Sequence, residues 1–253
     1  MVDLLFLKQL FHSTTRLEIL LILENSELSL SDLASKLGKV SAPEVSRHLS
    51  TLVEQDLVKR ETLTRKYSLS DFGRTLVTML NPIRFITNNR DYFQRHRLDD
   101  LPMTLMSQIN LLSSSEFVEG VGSVMLELEK LVGSAENDIW AIIDTGFPFK
   151  NERVQNSRTI TTPEFLYQAN TDEPTQADFK MRYPSMKDIT YKVLPRINIA
   201  MVLIDKDKAG AIGFPRSGEF KPDYSAMFLV NDVEGVQYLQ NIFDYFWKQA
   251  QLP

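Results

Sequence analysis

Ser41-Ala-Pro-Glu-Val-Ser-Arg-His-Leu-Ser-Thr-Leu-Val53 is the stretch on which the fold turns. Ser41 and Glu44 stand at capping-box spacing, so a helix begins here. Val45, Leu49, Leu52 and Val53 then fall at i, i+4, i+7 and i+8 and form one apolar stripe. That stripe fixes the opposite face, which carries Glu44, Arg47, His48 and Thr51. Polar side chains at this spacing, on a helix seated by its other face, can reach base edges in a major groove. Arg47 is the strongest member of the set, because a guanidinium bonds guanine O6 and N7 in bidentate fashion, worth about 1–3 kcal/mol of base discrimination. A polar helix face standing alone is most often simply solvated, so its surroundings decide.

On the N-terminal side, Thr15 and Glu18 have the same capping spacing. Leu17, Leu20 and Leu21 then recur at helical intervals, predicting a core helix that ends near Asn25 after a helical turn over 4–11. Ser31 reads as the N-cap of a short helix over 32–37 with Leu33, Ala34 and Leu37 inward, closed by Gly38. A turn carrying Lys39 leads into the quoted stretch. On the C-terminal side, 57–61 and 66–69 are two extended segments that predict a hairpin edged by Lys59, Arg60, Arg65 and Lys66. Such a hairpin can lie along a nucleic-acid backbone or in a minor groove, where cations neutralise phosphates and sense groove width.

The runs Ser31-Asp-Leu-Ala-Ser-Lys-Leu-Gly, Val45-Ser-Arg-His-Leu-Ser-Thr-Leu, Gln55-Asp-Leu-Val-Lys-Arg and Tyr67-Ser-Leu-Ser-Asp-Phe-Gly together resemble the winged helix-turn-helix of prokaryotic transcription regulators of the ArsR and TrmB type. The resemblance implies that Ser41, Glu44, Arg47 and His48 approach bases and that Arg65 and Lys66 belong to the wing. Asp56 stands where that family commonly has glycine, and aspartate tolerates the left-handed backbone better than most residues. His12, His48 and His96 are the only histidines and share no ligand spacing, and cysteine is absent. A thiolate metal sensor is thereby excluded, and no cofactor or metal is expected.

The 253 residues, 43% hydrophobic and 24% charged, suit a globular chain of two domains rather than a disordered one. Without cysteine there is no disulfide framework, and a reducing cytoplasm is the expected location. No apolar run approaches the roughly 20 residues of a membrane span, and Asp3 precedes the first basic residue, Lys8, unlike a signal peptide. Charge separates the halves. Residues 1–97 hold 14 Lys and Arg against 11 Asp and Glu, net +3, whereas 98–253 hold 14 against 22, net −8. A polyanion is therefore expected to meet the front, although an excess of this size also occurs as ordinary surface variation.

Phe72, Leu76, Met79, Ile83 and Ile86 are spaced 4, 3, 4 and 3, an a/d seam that predicts a helix pairing with its copy in a homodimer. The alternative is that the seam packs within its own domain, and Asn81-Pro82 predicts a break or kink. The sequence thus reads as a winged helix-turn-helix over 1–70, a helical connector for dimerisation over 71–97, and a second domain over 98–253.

That second domain reads as α/β. A helix over 101–112 leads to a longer one from a Ser-rich cap to Val132, strands follow at 138–144, 189–194 and 227–230, and a hairpin pairs 198–205 with 209–214. A last helix over 233–249 has Val236, Leu239, Ile242, Phe243, Phe246 and Trp247 on one face. With Asp99-Asp-Leu-Pro, the strand ending at Asp205 before Gly210 to Pro215, and the terminal Ile242-Phe-Asp-Tyr-Phe-Trp, the domain resembles the effector half of an archaeal methanogenesis and filamentation regulator family. The resemblance implies a catalytically dead phospholipase D-like fold, since live members need His-x-Lys-x4-Asp and no histidine here is followed by lysine two positions on. Dinucleotide, P-loop, nucleophile-elbow and zinc-peptidase motifs are also missing, and Asp205 and Asp207 are expected to be solvated in a turn.

The function expected is that of a DNA-binding transcription regulator on double-stranded DNA, with an unknown small molecule or protein as effector and no membrane partner. Trp140, Arg182, Tyr183, Arg196 and Arg216 are the candidate ligand-binding residues, because aromatic and Arg groups near strand ends suit an anionic or polar ligand. The alternative for them is core aromatics and surface arginines. The rival function is an enzyme with a phosphodiesterase-like α/β domain and a winged helix used as a protein-interaction module.

Overall fold

The computed structural model describes residues 8, 12–144, 151, 153–154, 156–162 and 188–252. The expected turn over 4–11 therefore falls almost wholly outside the described residues. The chain forms two compact units, Met1–Asn81 and Pro82–Pro253. In neither is there, among the described residues, a helix long and apolar enough to cross a membrane.

In the first unit, helices α1 (Thr14–Ile22), α2 (Leu30–Leu37) and α3 (Ala42–Glu54) precede the antiparallel pair β1 (Val58–Arg60) and β2 (Tyr67–Leu69). Ile19, Leu20, Leu33, Val45, Leu49, Leu52 and Leu57 have no exposed surface and make the core. Leu28 bridges to Tyr67 as a third short segment. The caps differ from those expected. Ser13, rather than Thr15, caps α1 by accepting from the Arg16 amide. Ser29, rather than Ser31, caps α2 in a capping box with Asp32, because Asp32 sits at the N3 position from which its carboxylate can reach back. Ser41 does start α3, but it makes no side-chain cap. Pro43 occupies the first turn, and Glu44 turns toward Arg47 and His48. Val53 is exposed rather than part of the core stripe.

The end of α3 is tightly built. The Leu57 amide donates to Leu52 O and the Asp56 amide to Val53 O, a Schellman pattern with Asp56 left-handed at φ 56°. Ser70 Oγ donates to the Asp56 carbonyl and accepts from the Gly73 amide, and the Ser70 amide donates to Leu57 O. This lays the start of α4 (Asp71–Asn88) across the Asp56–Leu57 turn. The helix does not break at Pro82 but runs six residues beyond it. The a/d seam is divided: Leu76 packs on the first unit's core and Ile86 on the second's, whereas Phe72, Met79 (64%) and Ile83 are exposed.

The second unit holds a mixed sheet ordered β3 (Glu116–Glu119), β9 (Ala226–Val230), β8 (Ala209–Gly213), β7 (Ala200–Ile204), β4 (Asp138–Ile142), β5 (Asn156–Thr161), β6 (Asp188–Val193). Only β4–β5 and β5–β6 are parallel. Residues expected to continue a long helix from the Ser-rich cap instead form β3. Gly120 at φ 102° turns the chain before helix α7 (Val121–Gly133), and the expected helix over 101–112 is split into α6 (Met103–Met106) and a 3-10 turn, Ile109–Leu112. The short helix α5 (Arg90–Phe93) lies between α4 and α6 in the chain. Val124, Leu128 and Val132 of α7 cover one sheet face and α8 (Val233–Gln249) the other, so both faces are dry in the middle. Asp205 is not simply solvated: its carboxylate accepts from the amides of Glu136, Asn137 and Asp138.

A buried polar group ties the connector into this unit. His96 has no exposed side-chain surface; its Nε2 lies 2.9 Å from Asp223 Oδ2 and its Nδ1 2.8 Å from the Tyr92 carbonyl oxygen. Arg216 Nε and the Ser225 hydroxyl also donate to Asp223. Burial alone would raise the Asp223 pKa, but hydrogen bonds from Ser225, Arg216 and His96 outweigh it and hold the carboxyl well below the ordinary range.

Two outcomes follow from this packing. A Cβ at Gly73 would lie 1.9 Å from Leu57 O, so Gly73→Ala should lower stability by about 1–3 kcal/mol in denaturant unfolding, and an unchanged midpoint would contradict the close approach. A depressed folded pKa means that the contribution of Asp223 is complete above the ordinary carboxylate pKa and is lost as pH falls from there through the lower folded value. Melting temperatures recorded from about pH 5 to about pH 2 should fall less steeply in Asp223→Asn, which starts from a lower value at neutral pH.

Candidate nucleic-acid interface

Helix α3 packs against α1, α2 and β1 through Val45, Leu49 and Leu52, and this fixes which side chains face outward. Arg47 projects most openly, with 74% of its side chain exposed, and its guanidinium is 4.0 Å from the exposed Glu44 carboxylate. A pair at that distance on the surface is weakly held, so the guanidinium is available to a base. Ser41 is exposed with a hydroxyl uncommitted to capping, and Lys39 is exposed in the preceding turn.

Two members of the expected set lie at the flank. His48 keeps only 14% of its side chain exposed, 3.9 Å from Glu44. Burial, then the charges of Arg16 and Arg47, push its pKa down, so at neutral pH it offers a neutral imidazole and not a cation. Thr51 is half-buried and its hydroxyl donates to the Arg47 carbonyl within the helix. Ser50, which helical spacing places one turn beyond Arg47, is exposed and was missed, because serine in a polar run gives no distinctive signal.

The hairpin carries Lys59, Arg60, Arg65 and Lys66, all exposed. Arg60 is held over the Tyr67 ring at 5.5 Å. The turn is closed by Arg65 N donating to Glu61 O and Glu61 N to Lys66 O, with Arg65 left-handed at φ 57°. Its tip is Leu63, 92% exposed, an apolar side chain among cations that composition alone did not single out.

Of the candidate ligand residues, the three described ones have separate partners. Trp140 is buried against Phe243 at 4.9 Å beneath Arg158. Arg196 stacks on Phe220, and Arg216 is engaged with Asp223 and Ser225. Arg182 and Tyr183 lie outside the described residues. Among the described residues no group of three or more His, Asp or Glu side chains could hold a metal ion.

Residues 13–60 match the family described as bacterial regulatory protein, arsR family. No curated protein matches the chain. Among solved structures, the chain is similar to TrmBL2, an archaeal chromatin protein, with TM-score 0.40 and 14% identity over 97% of this chain and 98% of that one. It is similar to quinone-bound YodB from B. subtilis with TM-score 0.30 and 15% identity over 32% and 91%. It is similar to NucT from Helicobacter pylori with TM-score 0.35 and 12% identity over 55% and 100%. Residues 13–60 form a helix-turn-helix domain of the arsR family of bacterial regulatory proteins.

Proposed function

We propose that the chain is a DNA-binding transcription regulator that acts as a homodimer on paired half-sites and receives its signal through the second unit. The observation that carries this reading is the outward Arg47 on α3, with exposed cations in the turn before that helix and in the hairpin after it, within an arsR-type domain. Arg47 and Glu44 are assigned to base edges, with Ser41, His48 and Thr51 at the margins of the same face. Lys39, Arg60, Arg65 and Lys66 are assigned to phosphates. Dimerisation is assigned to the exposed Phe72, Met79 and Ile83 of α4, which the first or second core would have buried had the seam been purely internal. Leu76 and Ile86, in contrast, anchor that helix.

The second unit is read as a receiver related to a phospholipase D-like fold without its chemistry. The chain has no His-x-Lys-x4-Asp, His96 is enclosed by Tyr92 and Asp223, and Asp205 is occupied by three backbone amides, so none of these groups is poised as a nucleophile or acid. A ligand or partner protein shifts DNA affinity only by binding one dimer arrangement better than another. The rival, an enzyme with the winged helix as a protein-binding module, requires that duplex DNA not bind.

Four measurements check this. Capturing bound DNA fragments across the genome from native cells should recover discrete sites. With about four phosphates neutralised per subunit, log affinity should fall linearly with log salt at a slope near −0.9 times the number of contacts, whereas binding absent or indifferent to salt supports the rival. Arg47→Ala should weaken the specific site about 5- to 150-fold and relax base preference, while Lys66→Ala should weaken all sequences alike and reduce the salt slope by about 1. Sedimentation should show a dimer that Met79→Asp converts to folded monomer.

A further inference from the structure

Strand register sets an unusual row of side chains on one face of the second unit. Trp140 on β4 is paired with Arg158 on β5, which is paired with Thr190 on β6, and Asp138, Asn156 and Asp188 form the preceding row. The Arg158 guanidinium lies 4.9 Å from the Trp140 ring and 5.9 Å from that of Trp247, and Lys192 Nζ lies 4.9 Å from Trp247 and donates to its carbonyl. Stacking fixes the plane of a guanidinium and leaves its N–H edge for ligands in that plane. Arg158 is exposed, and among the described side chains no carboxylate pairs with it, whereas Arg95, Arg97 and Arg216 of the same unit pair with Glu119, Asp99 and Asp223.

Arg158 opens on a cavity of about 250 Å³ lined by Asp138, Asn156, Ser157, Arg158, Thr190 and Lys206. Lys206 Nζ is 3.7 Å from Asp138, so these two charges largely offset each other, and Arg158 is the remaining charge among the described lining residues. The remaining lining is amide and hydroxyl, which donates to oxygens. The volume lies below the roughly 300–1,000 Å³ of drug-sized ligand pockets. We propose that this cavity binds a small tetrahedral oxyanion, free phosphate or a phosphate monoester, on Arg158 with Asn156 and Thr190 as hydrogen-bonding partners. The proposal rests on the reading of the second unit as a receiver and names what it receives. A guanidinium matches two oxygens of such an anion with parallel hydrogen bonds. The acidic surroundings do not draw anions in from a distance, so recognition comes from contact inside the cavity.

The chain reports on this site by itself, because Trp140 and Trp247 are its only tryptophans and both flank Arg158. Intrinsic fluorescence of the full-length protein is titrated with sodium phosphate and with glycerol 3-phosphate at constant ionic strength, and calorimetry repeats each titration. A saturable response is expected, weakened at least tenfold in Arg158→Ala, partly restored in Arg158→Lys and unchanged in the surface variant Lys130→Ala. Should Arg158→Ala fail to fold, Asn156→Asp serves, since a second carboxylate of nearly the same shape should abolish binding. Tighter binding of glycerol 3-phosphate assigns the site to monoesters, and tighter binding of phosphate assigns it to the free ion. A response that never saturates, or one equally strong in Arg158→Ala or Asn156→Asp, overturns the site. DNA affinity measured with and without the bound anion separates the two readings: saturable binding with unchanged DNA affinity leaves the site standing and removes it as the signal. Absent anion binding with intact DNA binding removes the site alone.

Discussion

The first unit depends on how the chain leaves helix α3. A recognition helix is useful only if its outward face is held at a fixed angle to the hairpin that follows, and that angle is set over the few residues from Leu52 to Val58. Asp56 takes the left-handed conformation, the Schellman bonds close the last carbonyls, and Ser70 clamps the turn from the other side. Gly73 then lets the backbone of α4 approach Leu57 more closely than any side chain would allow. Helix, hairpin and connector therefore share a single junction, while the buried stripe of Val45, Leu49 and Leu52 sets the direction of Arg47.

Aspartate at position 56 costs some backbone energy relative to glycine, although its short polar side chain lessens the penalty. The serine that clamps the turn also caps α4, so one hydroxyl satisfies two backbone groups that would otherwise be orphaned. An apolar residue at position 70 would leave the Asp56 carbonyl and the Gly73 amide without these partners.

The second unit solves a different problem. Its sheet is covered on both faces, so polar groups inside it must find partners there. His96, Asp223, Arg216 and Ser225 do so as one network, and Asp205 does so by collecting three amides at the edge of β4. Arg158, like Arg196 over Phe220, has its planar group positioned by aromatic rings, in its case the two tryptophans. The same residue type thus has two chemical states: Arg216 is consumed by the fold, whereas among the described side chains no carboxylate takes up the polar edge of Arg158.

The winged-helix half was legible because its signals are local. Apolar periods in α2 and α3, a capping residue near each start, and two short extended segments with cations between them depend only on neighbours along the chain. At the start of α2 two local signals compete: Ser29 and Ser31 both fit a cap, and only the reach of Asp32 back to Ser29 separates them. In the second half, the run at 116–119 follows a Ser-rich segment that reads as a helix N-cap, but pairing with β9 makes it an edge strand. Strand β5, Asn-Ser-Arg-Thr-Ile-Thr, carries no strand signal in the sequence, since five of its six residues are polar and it is held by pairing with β4 and β6. The sequence alone determined which helix faces outward and which residues it shows, because a 3.6-residue period is a property of the chain itself. Tertiary structure alone decided that His48 and Thr51 sit at the flank, that Arg216 is bound up and that Arg158 meets two tryptophans, because burial and pairing depend on contacts between segments distant in sequence.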